Sequence, residues 1–120
     1  MDADLTMKIL TGWMGANGLF GYLATDAWME GWGGSVSGAA ETGMAKLMAS
    51  CMMGGAALTG ASAFMGKSAL ESFGIAMGVY ALTQIDSIYI SKSIQAMGVD
   101  PNKGLFWLVV QLATVAVIFA

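Results

Sequence analysis

LMASCMMGGAALTGASAFMG, residues 47–66, is a run of 20 residues without a charge, bounded by Lys46 on one side and Lys67 on the other. The hydrocarbon core of a bilayer is about 30 Å thick and takes about 20 apolar residues in α-helix to cross. A charged side chain at its centre costs at least about 2.5 kcal/mol. The distances between charges therefore mark the spans, and residues 47–66 read as one of them.

Three other intervals obey the same rule. Ile9 to Thr25 is 17 residues free of charge, Ser72 to Ser91 is 20 residues interrupted only by Asp86, and Gly104 to Ala120 is another 17. The expected fold is an all-α integral membrane protein, a single domain over residues 1–120 with four transmembrane helices near 9–25, 47–66, 70–91 and 104–120. Residues 26–43, with Trp28 and Trp32 spaced to share a helical face, form the longest connection and are expected to lie along the membrane surface, because tryptophan favours the headgroup layer. Lys67 to Glu71 reads as a hairpin link with Ser68 or Lys67 opening the third helix. Pro101 disfavours helix at Asp100 and marks Gly98–Gly104 as a turn. The start Met-Asp-Ala-Asp has no basic region and does not read as a secretory signal. In a four-span order, Lys8 and Lys67 fall on one side and Lys46, Lys92 and Lys103 on the other, a bias too small to orient the chain.

Composition agrees with this reading and removes several function classes. The 120 residues are 57% hydrophobic and 11% charged, against roughly a quarter charged in soluble domains. All five basic residues are lysines, so no arginine is present to fork onto phosphate, and nucleic acid is not an expected partner. With no histidine and one cysteine, the usual zinc, haem and triad chemistries lack ligands or a base. An unassisted serine hydroxyl is a poor nucleophile, and Cys51 sits in an apolar span that keeps it inert. The expectation is a protein without catalytic activity and without a metal site.

Helices in lipid associate by close approach of small residues rather than by burying leucine. Gly12, Gly15, Gly18 and Gly21 recur along the first span, Gly54, Gly55 and Gly60 along the second, and Gly74 with Gly78 along the third. Gly12, Gly15, Gly54, Gly55, Gly60, Gly74 and Gly78 are accordingly read as packing positions. Eleven methionines, several in or beside the second span, add gap-filling side chains that adapt to irregular partners.

Four polar residues carry what chemistry the spans offer. Asn17 and Gln111 lie near the middle of apolar spans, where an amide can bond between helices or offer a carbonyl oxygen to the magnesium of a chlorophyll. Glu41 could do the same near an interface, although its place in the first turn of a helix also suits the macrodipole. Asp86 is the alternative ion site, since a carboxylate within a span is by default a functional candidate. Counted from Ser68, however, it lies about 27 Å along its helix at 1.5 Å per residue, close to the far interface.

Two functional expectations follow. The first is a non-catalytic accessory subunit that stabilises a large membrane complex and contacts larger membrane subunits, lipid and, in a photosystem–antenna supercomplex of the thylakoid, chlorophyll and carotenoid. The second is a small four-helix transporter or channel protomer using Asp86. ETGMAKLMA, residues 41–49, resembles the helix start of chlorophyll-binding antenna proteins over nine residues, but it lacks the paired arginine of that pattern and transfers no function. The photosynthetic expectation rests instead on oxygen donors suited to magnesium and on the lack of histidine for haem. Small multidrug exporters carry their carboxylate in the first span, and here that span has none.

Overall fold

The computed structural model describes residues 2–120, which are helical with no strand among them. Helix α1 spans Ala3–Leu23, α2 Thr25–Gly31, α3 Ala39–Met65, α4 Ala69–Ile85, α5 Ser93–Ala96 and α6 Pro101–Phe119. Local chemistry sets the ends. The Asp2 carboxylate accepts from the Asp4 amide, the Ser68 hydroxyl from Glu71, and the Asp100 carboxylate from Asn102, each satisfying an amide that has no carbonyl partner in the first turn. Gly66 closes α3 with φ of 63°, a left-handed conformation that costs glycine nothing.

The helices extend beyond the expected spans where polar residues can be solvated. α1 begins six residues before Ile9 and is stitched by an Asp4–Lys8 pair at 2.9 Å. α3 begins eight residues before Leu47, held by Glu41, whose Oε2 accepts from the Ser37 amide at 2.8 Å and the Ser37 hydroxyl at 3.0 Å. α6 begins at Pro101 rather than Gly104: proline lacks only an amide that the first turn leaves unpaired.

The long helices alternate in direction and pack only on their neighbours in chain order, α1 on α3, α3 on α4 and α4 on α6. The result is an open row measuring 41 × 37 × 16 Å. The long dimension equals the length of α3, about 40 Å at 1.5 Å per residue, and the short one is little more than one helix thick. Lys8 and Lys67 stand at one end of the row, and Lys46, Lys92 and Lys103 at the other.

Small residues bring the helices together. A Cβ on Gly18 would lie 2.8 Å from the Met53 amide nitrogen and 2.9 Å from the Ala49 carbonyl oxygen, so α1 touches the backbone of α3 there. Gly15 faces Ala56, Gly55 faces Met14, and Thr11 shares a 2.6 Å hydrogen bond with Thr59. On the other side of α3, Gly54 seats the Tyr80 ring, and Gly74 of α4 seats Phe119 of α6. Gly12 and Gly78 make no such approach: nothing lies within 4 Å of a Cβ built on either, so neither packs a helix within this chain.

Three helices are long and apolar enough to cross a membrane: α3, α4 continued to Ile90, and α6. The four-span expectation is met in three helices; α1 has the length, at 21 residues, but its glycines, Asn17, Asp4 and Lys8 dilute it. Large apolar side chains stand exposed along these helices, among them Phe64 at 62%, Leu82 at 69% and Val117 at 78%. Exposure on that scale is incompatible with a lone chain in water and suits an apolar surround.

Within residues 26–43, Trp28 and Trp32 line one hollow with Met48 and Met52 of α3. Trp28 is only 5% exposed, its ring against Gly21 of α1, whereas Trp32 is 61% exposed. Gly21 leaves a hollow that the Trp28 indole fills.

Candidate functional site

The end of the row that carries Lys46, Lys92 and Lys103 holds most of the interhelical polar contacts. Its centre is Asp86. At this residue α4 widens into a π turn, Asp86–Ile90, a local irregularity that shifts the facing of the side chains after it and is frequent at functional positions. The Asp86 carboxylate accepts a hydrogen bond from the Tyr22 hydroxyl of α1 and another, at 3.2 Å, from Ser91. Lys46 stands over the Tyr22 ring, 5.1 Å from its centroid, a cation–π geometry. The Gln95 amide donates to the Ile88 carbonyl at 3.0 Å, tying the π turn to α5.

Thr83 and Tyr89 lie three residues to either side of Asp86, at a spacing that would bring them to it on a regular helix. Thr83 instead donates to the Tyr80 carbonyl and meets the Ser50 hydroxyl of α3 at 2.8 Å, and Tyr89 is 56% exposed. The π turn rotates Tyr89 away. Tyr22 and Ser91 went unread because neither is adjacent to Asp86 on an ideal helix. A signal existed: spans 1 and 3 run parallel, so residues near their C-terminal ends share one depth.

Beside this network is a cleft of about 310 Å³ between α3, α4, α5 and α6. Leu47, Ile94, Met97 and Trp107 supply apolar walls, Ser87 and Ser93 hydroxyls, and Lys103 the one ionisable group on its lining. Gly43 admits the α5 end: a Cβ there would be 2.9 Å from the Ser93 carbonyl oxygen. Gln84 spans the cleft to α6, donating to the Gly104 carbonyl at 3.1 Å. Asp86 does not line it.

The remaining polar candidates are scattered along the row. Asn17 donates to the Trp13 carbonyl of its own helix and accepts from the Trp28 indole at 3.4 Å; it anchors α2 to α1 and does not bond to α3. Glu41 is exposed and engaged by Ser37. Gln111 of α6 has a buried Oε1 with no hydrogen-bond partner. Cys51 is exposed and unpaired. Among the described residues no group of three metal-binding side chains converges. Comparison with protein-family models, with curated proteins and with solved structures finds no match to this chain.

Proposed function

We propose that this chain is a multi-pass, non-catalytic subunit that packs between larger proteins of a membrane complex. The observation that carries the reading is the open, one-layer row. α1 and α6 stand at opposite edges and do not meet, so the row encloses no path of its own, while both of its broad faces remain available to other chains. α6 fully buries only Gly104 and Leu108, which leaves most of its surface for a neighbouring subunit. α1 is the fourth span in this reading, because it runs beside α3 from Thr11–Thr59 to Gly18–Ala49.

A photosystem–antenna supercomplex of the thylakoid, with chlorophyll and carotenoid, is the particular assembly that the oxygen donors suggest. Of Asn17, Glu41 and Gln111, Glu41 keeps an exposed side-chain oxygen for magnesium, since Ser37 engages only its Oε2; the Asn17 oxygen is held by Trp28, and the Gln111 oxygen is buried within the chain. The test is mild-detergent extraction of the native membrane, followed by native sizing, absorption spectroscopy and identification of co-migrating proteins. Migration with a large assembly is the expected result, and chlorophyll bands in it support the photosynthetic version. A small colourless homo-oligomer overturns the proposal. Asp86→Asn would then be assayed for loss of transport.

A further inference from the structure

We propose that the cleft between α3, α4, α5 and α6 binds an anionic single-chain amphiphile, its acidic headgroup at Lys103 and its chain against Leu47, Ile94, Met97 and Trp107. Size, charge and position each contribute. A cavity of 150 Å³ takes a benzene ring, so about 310 Å³ accommodates about a dozen non-hydrogen atoms, enough for a headgroup and the first part of an acyl chain. It is also at the lower end of ligand-pocket volumes.

The lining selects the headgroup. Lys103 is its sole charged residue, no carboxylate faces the space, and Lys103 makes no ion pair among the described residues. Two of the lining hydroxyls are committed elsewhere: Thr83 donates to the Tyr80 carbonyl, which leaves the Ser50 hydrogen to Thr83. Ser93 remains on the lining as a hydroxyl donor, since it only accepts from Ser91, and one N–H of Gln84 is left after its bond to Gly104. An acceptor-rich anion, carboxylate or phosphate, satisfies a cation and several donors together. Position supplies the chain. The cleft lies at the end of the row where charged and aromatic residues gather, and its exposed rim, Leu47 at 54% and Trp107 at 58%, opens toward the surround in which an acyl chain continues. Basic pockets between helices at this depth suit lipid headgroups.

The experiment uses the purified chain in nanodiscs of zwitterionic phosphatidylcholine, with tryptophan fluorescence as the readout. The probes are 10-bromodecanoate, its methyl ester and bromododecyl phosphate. Saturable quenching by at least one acid, absent for the ester and lost in Trp107→Phe, is expected; whichever acid binds more tightly identifies the headgroup as carboxylate or phosphate. Lys103→Met, a change at an exposed position, is expected to weaken binding about tenfold. Ser93→Leu fills the cleft and should abolish saturation. Since that variant alters a buried residue, Lys103→Met and the ester carry the decision. Equal quenching by acids and ester, or quenching unchanged in Lys103→Met, means partition into the bilayer only and overturns the proposal.

Discussion

Tyr22 hydrogen-bonds to Asp86 across 64 positions of sequence, although α1 and α4 are not neighbours in the row. The contact passes over the first part of α3, where Lys46 stands against the Tyr22 ring, and so it links three helices at one end of the molecule. The carboxylate is thereby held by partners from outside its own helix.

Removing that donor leaves Ser91 as the remaining partner of the Asp86 carboxylate. Hydrogen bonds to charged groups contribute about 1.5–3 kcal/mol, so Tyr22→Phe is expected to lower stability by that order. Asp86→Asn should reduce the penalty of the second change, and a double-mutant cycle in detergent unfolding measures the coupling. A coupling of zero would show that the pair does not act together.

Two glycines of α1, six residues apart, should respond unequally. Gly18 meets the α3 backbone, so Gly18→Leu forces the helices apart at a cost at the upper end of about 1–3 kcal/mol. Gly12 faces open space, and Gly12→Leu should leave stability within about 0.5 kcal/mol. Unfolding by titrated denaturing detergent compares them; equal losses would refute the packing assigned to Gly18.

The hydroxyls of two buried serines differ in what they contact. Ser72 is 1% exposed and its oxygen has no partner, so Ser72→Ala is expected to be neutral or stabilising. Ser50 bonds to Thr83, and Ser50→Ala should cost about 1 kcal/mol. The same unfolding assay reads both, and a large loss in Ser72→Ala would reveal a partner for that hydroxyl.

Trp28 and Trp32 should report different surroundings. In variants retaining one tryptophan, Trp32 is expected to be readily quenched by acrylamide or brominated lipid, and Trp28 to be protected. Trp28→Ala removes the ring that fills the hollow over Gly21 and is expected to cost about 3–5 kcal/mol. Equal quenching of the two would mean that α2 does not dock on α1.

Helix type, the antiparallel order and the sidedness of the five lysines were legible in the residues alone. They depend on local quantities: the lengths of uncharged runs, the helix start at Ser68 and the break at Pro101. The small-residue contacts were legible as a class but not singly, since spacing cannot distinguish Gly18, pressed on α3, from Gly12, which touches nothing. Asp86 stood out as a charge within a span, yet its partners did not. The π turn changes the facing of the residues after it, and no periodicity marks a π turn beforehand.

An apolar, helical, charge-poor chain was determined by sequence, because hydropathy and charge spacing belong to each residue and to the solvent it requires. Only the tertiary structure decided that the helices form an open row, that Trp28 fills a hollow over Gly21, and that four separate segments enclose a cleft at Lys103. Those outcomes arise from side-chain volumes meeting across positions far apart in the chain, and the sum of such contacts is specified by no single stretch.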